Sequence, residues 1–153
     1  MNITTKSRYA IRALVDIAIH QQERGLPVRR SDIGTRESFS QDYLEQILVR
    51  LRSARIVKSV RGPGGGYLLG RDPTEITLWE VMTASEDKLA VVPCLSDDDP
   101  RCGRHEHCSA RPVWQHMFQV LEREMGAITL QDIIDNRLPE LVPKPPKGTR
   151  KSR

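Results

Sequence analysis

The chain has 153 residues, of which 38% are apolar and 5% aromatic, and a formal net charge of +4. That length fits about one domain with a modest core, and no apolar run reaches the roughly 18 residues of a membrane span. Because residues 1–7 lack a secretion signal and three cysteines suit no disulfide framework, we expect a cytoplasmic protein with no membrane partner.

The charge is unevenly distributed along the chain. Residues 1–61 carry 12 Lys and Arg against 6 Asp and Glu, whereas residues 62–143 carry 7 against 14. The last ten residues, 144–153, add five basic side chains and no acidic one. A basic first segment favours a polyanionic partner.

Three helices are predicted at the start of the chain. Apolar residues at helical spacing form a first helix that ends at Gly25, and a second follows over about 30–37, with Ser31 and Asp32 as capping candidates. A short turn ends at Ser40, which can cap a third helix. The apolar residues of the first helix are Tyr9, Ala10, Ala13, Leu14, Ile17 and Ala18.

The third helix has one apolar and one polar face, the pattern of a helix-turn-helix reading helix. The apolar stripe is Leu44, Ile47, Leu48 and Leu51. On the polar face Gln46 can pair with adenine, and Glu45 or Asp42 can accept from cytosine. Basic residues suited to phosphates follow at Arg50, Arg52 and Arg55. The alternative for this face is an ordinary solvated helix surface.

A hairpin is predicted after the third helix, with strands over 56–60 and 67–69. The glycine-rich turn between them either only permits a tight hairpin or forms the wing of a winged helix. In the second case Gly64 and Gly65 offer backbone N–H groups to phosphates, and Arg61 enters a minor groove.

The cysteines lie together in one loop. Thr77 and Glu80 form a capping box for a helix to about Met82, and a polar loop over 87–100 follows. Seven residues separate the first and second cysteines and five separate the second and third, which are Cys94, Cys102 and Cys108. Cysteine thiolates can ligate an iron–sulfur cluster, bind zinc or be oxidised directly. The spacing of the three cysteines does not distinguish a 2Fe–2S from a 4Fe–4S cluster.

A long amphipathic helix is predicted after the loop, with Pro112 in its first turn. Its apolar stripe packs either against a second copy of the chain or against its own subunit, and consists of Val113, Trp114, Met117, Val120, Leu121 and Met125. A short helix over 129–136, with Asp132 in its cap, and a disordered basic tail follow.

Three motifs resemble the IscR-type iron–sulfur-responsive repressors: Lys6-Ser7-Arg8-Tyr9-Ala10, Tyr43-Leu44-Glu45-Gln46, and the glycine-rich block over 59–70. The resemblance extends from about Met1 to Asn136, and the cysteine spacing resembles that of the rhizobial iron regulators. It implies a homodimeric winged-helix transcription factor with an iron–sulfur cluster in the loop. By position, Tyr43, Glu45, Gln46 and Arg61 are then DNA contacts, and the three cysteines are cluster ligands.

The fourth ligand departs from the family pattern. Close relatives have a histidine three residues after the last cysteine, where this chain has Arg111. Because arginine keeps its proton, it cannot ligate a metal. The nearest substitutes are His105, which we favour slightly, and His107. An acidic side chain, a solvent molecule or a group of the partner subunit is also possible, and on general grounds each histidine is more often an ordinary loop residue than a ligand.

We therefore expect a mainly α fold: a winged helix-turn-helix domain over 1–84, a cysteine loop over 85–111, a dimerisation segment over 112–136 and a basic tail over 137–153. The expected function is a homodimeric repressor of operator DNA that senses iron, oxidative or nitrosative status. The alternative is a zinc- or thiol-based regulator, and no nucleotide loop or nucleophile–base pair favours an enzyme. The candidate DNA contacts are Ser40, Asp42, Tyr43, Glu45, Gln46, Arg50, Arg61, Gly64 and Gly65.

Overall fold

The computed structural model describes residues 4–86, 89–95 and 107–138. This part of the chain is mainly helical with one two-stranded antiparallel sheet, which confirms the predicted winged helix-turn-helix fold. None of its helices is both long and apolar enough to cross a bilayer. The elements are α1 (Thr5–Arg24), α2 (Arg30–Glu37), α3 (Gln41–Ser53), β1 (Val57–Val60), β2 (Gly66–Leu69), α4 (Leu78–Ser85), α5 (Arg111–Gly126) and α6 (Leu130–Ile134).

The first helix ends, and the second begins and ends, where the sequence predicts, but the cap of the second helix differs. Gly25 ends α1 in the left-handed conformation, with φ of 64°, and donates its N–H to Gln21. The predicted caps Ser31 and Asp32 are wrong, because α2 begins at Arg30 and no side chain caps it. Both residues therefore lie inside the first turn, where the Ser31 hydroxyl donates to the Asp32 carboxylate over 3.1 Å.

The turn between α2 and α3 is tight. Ser38 adopts a left-handed conformation with φ of 58°, and the N–H of Phe39 donates to the carbonyl of Gly34 over 2.9 Å. The predicted cap of α3 is confirmed, since the hydroxyl of Ser40 accepts from the N–H of Tyr43 over 3.4 Å. This turn fixes how α3 leaves α2.

The apolar stripe of α3 lies at the centre of the core, where each of its side chains is at most 1% exposed. It packs against the buried face of α1, and an ion pair with a buried carboxylate joins α2 to α1. Arg36 donates two hydrogen bonds of 2.7 Å to the carboxylate of Asp16, whose side chain is 4% exposed. The stripe residues are Leu44, Ile47, Leu48 and Leu51.

The hairpin is anchored to the body of the domain at one strand. β1 and β2 pair antiparallel, with Val57 opposite Leu69. Outside this pair, Val28 and Tyr67 exchange two backbone hydrogen bonds of 2.8 Å each. Because Val28 comes just before α2, these bonds fix the hairpin beside the helix-turn-helix.

Two capping boxes stand side by side at the opposite end of the domain. Both predicted boxes are confirmed: Thr77 with Glu80 at α4, and Thr129 with Asp132 at α6. The two threonines face each other in an isolated antiparallel bridge. Leu130, the first residue of α6, is 2% exposed and belongs to the main core. The chain therefore returns to this core after α5.

The end of α4 is joined to the start of α1 by a hydrogen-bond network around Glu86. Its carboxylate accepts from the hydroxyl of Ser7 and, over 2.6 Å, from the hydroxyl of Thr4. Ser7 and Ser85 are fully buried, and their hydroxyl oxygens lie 3.1 Å apart. Burial raises the pKa of Glu86, but the hydrogen bonds from Ser7 and Thr4 outweigh it and hold the pKa below its usual value.

We expect Glu86→Gln to lower the free energy of unfolding by about 1 kcal/mol at pH 7. Because the pKa of Glu86 is lowered in the folded state, this contribution is complete above the unfolded pKa and lost as the pH falls through the folded pKa. Urea unfolding between pH 3 and pH 7 measures the difference between parent and variant. The exposed Glu124→Gln serves as the control, and a difference that is independent of pH would contradict the assignment.

Candidate functional site

The outward face of α3 presents a row of polar side chains to solvent. Asp42, Glu45 and Gln46 are all exposed, because the opposite side of the helix is committed to the core. Val49 continues the row and is 42% exposed. The structure therefore brings the three predicted base-reading side chains together on one open surface.

Tyr43 differs from its neighbours because it is only half-exposed. Its ring meets the ring of Tyr9 edge to face, with centroids 5.6 Å apart, and Tyr9 in turn stacks on Phe39 at 3.9 Å. Tyr43 packs against the core cluster, so only part of its side chain faces outward. Ser40 is exposed, and its hydroxyl is already engaged in capping α3.

Glu45 is paired with a cation that sequence reasoning missed. Arg30, at the start of α2, makes an ion pair with the carboxylate of Glu45. Both side chains are substantially exposed, so the pair is open to exchange with another partner. The missed signal is the packing of α2 against α3, which brings residues 15 positions apart into contact.

The tip of the hairpin is exposed, and Arg29, a second arginine whose contact the sequence did not predict, forms a hydrogen bond to it. Arg61 and Gly64 are exposed, and a side chain at Gly64 would meet no other atom. A side chain at Gly65 would collide with the carbonyl of Val60, so the hairpin itself requires that glycine. Arg29 donates to the carbonyl of Pro63 over 3.2 Å, which ties the tip to the start of α2.

A basic cleft of about 330 Å³ lies between the end of α3 and β1. Arg52, Arg55 and Lys58 line it, together with Val57, Ser59 and Gly70, and none of these lining residues is acidic. Arg52 lies on the same face of α3 as Asp42 and Val49, so the cleft extends the outward face. The sequence predicted the two arginines but not Lys58. Arg50, in contrast, is half-buried and engaged in another interaction.

Two of the three cysteines are described, and one residue joins them. Cys94 lies in a 3-10 turn, Pro93–Leu95, and Cys108 lies three residues before α5; both are half-buried free thiols. The side chain of Arg111 donates to the carbonyl of Cys94 over 3.2 Å, and its N–H donates to the carbonyl of Cys108 over 3.1 Å. One residue therefore holds both cysteine segments.

The remaining candidate ligands are divided between described and undescribed parts of the chain. His107 is exposed next to Cys108, whereas Cys102 and His105 lie outside the described residues. Among the described residues no group of three or more possible metal ligands occurs. Two cysteines whose backbone carbonyls accept hydrogen bonds from one arginine fit a metal group with thiolate ligands.

α5 is the least covered helix, because none of its residues is buried. Its contact with its own subunit includes Phe118, whose ring meets that of Trp79 edge to face with centroids 5.4 Å apart. Val113 and Met117 remain 55% and 43% exposed. The apolar stripe of α5 is therefore open at these two residues and half-buried at the other four, Trp114, Val120, Leu121 and Met125.

The chain matches one protein family over nearly its whole described length. A model of the Rrf2 family, described as iron-dependent transcriptional regulators, matches residues 3–136. The chain is 37% identical over 137 residues to the HTH-type transcriptional regulator IscR of Xenorhabdus nematophila, covering 90% of this chain and 81% of that protein. IscR of Serratia proteamaculans gives the same identity and coverage.

Solved structures give the same picture. T. potens IscR superposes with a TM-score of 0.69 at 31% identity, covering 89% of this chain and 88% of that one. CymR (YrzC), the global cysteine regulator of B. subtilis, superposes with a TM-score of 0.70 at 29% identity, covering 89% of this chain and 98% of that one. The arrangement of helices and wing is thus shared with proteins of both names.

Proposed function

The chain belongs to the Rrf2 family of transcriptional regulators, and from this premise we propose that it binds operator DNA as a homodimer controlled by an iron–sulfur cluster. It acts as a repressor and senses iron, oxidative or nitrosative status. The observation that supports the sensing role is that the backbone carbonyls of Cys94 and Cys108 both accept hydrogen bonds from Arg111, the first residue of α5. Its relatives are regulators of transcription and not enzymes.

The base contacts come from the exposed face of α3 lying in the major groove. Gln46 pairs with adenine through its amide, and Asp42 or Glu45 accepts from the amino group of cytosine. Glu45 contacts a base when it leaves Arg30, whose guanidinium is then free to bind a phosphate. Ser40 and the exposed part of Tyr43 flank this surface.

The backbone contacts lie on both sides of α3. Arg61 enters the flanking minor groove, and the open backbone at Gly64 approaches a phosphate, with Gly65 shaping the turn. At the other end, the cleft of Arg52, Arg55 and Lys58 carries three positive charges and no acidic lining residue, which suits a phosphate. Arg50 supports this surface from its half-buried position.

The homodimer forms through α5. Val113 and Met117 are more exposed than apolar side chains on a helix usually are, and they share one stripe of that helix. A second copy of the same stripe covers them in a two-fold symmetric contact. Two reading helices then face successive major grooves of a roughly palindromic operator.

The cysteine loop holds the cluster and controls α5. Cys94, Cys102 and Cys108 supply thiolates, and His105 or His107 is the candidate fourth ligand. When bound, an iron–sulfur cluster supplies a centre that responds to oxidants and to iron supply. Because Cys108 accepts a hydrogen bond from the first residue of α5, a shift of this loop moves the start of the dimer helix. The spacing of the two reading helices changes with it.

Replacing Arg61 tests the wing contact. We expect Arg61→Ala to weaken operator binding by about 1–3 kcal/mol, because the guanidinium leaves the minor groove. Arg123→Ala removes the same charge from α5 and should leave the affinity unchanged. Titration of a fluorescent operator fragment at fixed salt measures both variants. Equal affinities for Arg61→Ala and the parent would limit the glycines to a structural role in the hairpin.

A charge placed on the open stripe of α5 tests the dimer. We expect Met117→Lys to raise the dimer dissociation constant at least about tenfold, because the ammonium would be buried in an apolar contact. Gln119→Lys adds the same charge at an exposed polar position and serves as the control. Sedimentation equilibrium measures both. A parent that is monomeric at micromolar concentration would refute the dimer proposal directly.

Replacing Cys102 tests the sensing half. In anaerobically purified protein, we expect iron and sulfide in similar amounts in the parent and their loss in Cys102→Ala, because a ligand is removed. Operator affinity should change by several-fold, while the thermal midpoint stays near that of the parent. Ser109→Ala, at an exposed neighbour of Cys108, should keep both the iron and the affinity.

Metal content and DNA binding of the same samples distinguish a cluster-based regulator from the zinc-based and thiol-based alternatives. Zinc in stoichiometric amount without sulfide would favour a zinc-based regulator, and a metal-free protein with oxidant-dependent DNA binding would favour a thiol-based one. An affinity unchanged by Cys102→Ala would show that the loop is not coupled to DNA binding. The visible absorption bands of an iron-containing parent distinguish 2Fe–2S from 4Fe–4S.

A further inference from the structure

Arg111 is the first residue of α5 and reaches both described cysteine segments. Its side-chain Nη1 donates to the carbonyl of Cys94, 17 residues earlier in the chain, over 3.2 Å. Its own N–H donates to the carbonyl of Cys108 over 3.1 Å. The separation of the two cysteines is therefore limited by the length of one arginine side chain.

We propose that Arg111 is a positioning residue that closes the cysteine loop in the metal-free protein, holding Cys94 and Cys108 beside each other. Its guanidinium always carries its protons and donates but does not ligate. Arg111 thus positions the two cysteine segments and is not itself a ligand. That this site takes a cluster rests on the proposed function, whereas the closure itself does not.

Closure by a side chain has a physical advantage for a loop of this length. Joining the ends of a flexible segment costs conformational entropy, which a metal would otherwise have to offset when it binds. Arg111 is half-buried, so its hydrogen bond to Cys94 is only partly exposed to competing water. α5 has no acidic residue in its first turn that could take the guanidinium away from that carbonyl.

The test measures how readily the two thiols are bridged in metal-free protein. In a Cys102→Ala background only Cys94 and Cys108 remain, so a short bifunctional alkylating reagent that becomes fluorescent on bridging reports on this pair alone. The bridging rate is divided by the rate with a monofunctional analogue, which removes differences in thiol reactivity. Arg111→Met keeps an unbranched side chain, shorter by two atoms, but removes every side-chain donor.

We expect Arg111→Met to lower the normalised bridging rate about 2- to 10-fold, the range expected for one lost hydrogen bond. Arg111→Lys should recover part of the rate, because the ammonium keeps a donor. Arg123→Met, which removes an exposed arginine from the same helix, should match the parent. If Arg111→Met does not fold, the comparison of Arg111→Lys with the parent still measures the effect.

Three results would overturn the proposal: an unchanged rate in Arg111→Met, a rate for Arg111→Lys no higher than that of Arg111→Met, or equal slowing in Arg123→Met. The last would mean that net charge alone controls the loop. Iron and sulfide retention is measured separately on the protein with all three cysteines. Absence of iron with a rate that still depends on residue 111 would refute the cluster but not the closure.

Discussion

The burial of one face of α3 is the constraint on which the rest of the molecule depends. Its four apolar side chains are at most 1% exposed, and they pack against α1 with α2 and α4 alongside. Because α3 buries one face in the core, its opposite face, the row from Asp42 to Val49, is exposed to solvent. The ion pair of Arg36 with the buried carboxylate of Asp16 fixes α2 on α1, so the turn before α3 has a defined direction.

The same core sets where the cysteine segment begins and where the chain returns. At one end, Glu86 and the buried hydroxyls of Ser7 and Ser85 join the end of α4 to the start of α1. At the other, Leu130 lies in the core immediately after α5. The segment between them is thus anchored on both sides to the body that positions α3. A change in the loop can act on α5, which follows it and has no buried residue.

Features controlled by neighbours in sequence could be predicted, and those that depend on packing could not. The stripe of α3, the cap at Ser40 and the two threonine capping boxes follow from local spacing, and all are confirmed. The pairs Arg30 with Glu45 and Arg29 with Pro63 join different elements, so no local pattern indicates them. The predicted caps of α2 failed although its start was predicted: the helix begins at Arg30 with Arg29 at the N-cap, so Ser31 and Asp32 lie inside the first turn.

The proposed signal path from the cysteine loop to DNA follows from a contrast between two helices: α3 has a buried apolar face, whereas no residue of α5 is buried. Moving α3 relative to α1 would expose side chains that are now buried, and each buried leucine contributes about 1.5–3 kcal/mol to stability. Moving α5 exposes no buried side chain of that helix, since none of its residues is buried in the single chain. A change at Cys108 therefore acts at far lower cost on the dimer helix than on the reading face. On the proposed signal path, the loop adjusts the distance between two fixed reading surfaces rather than the chemistry of either one.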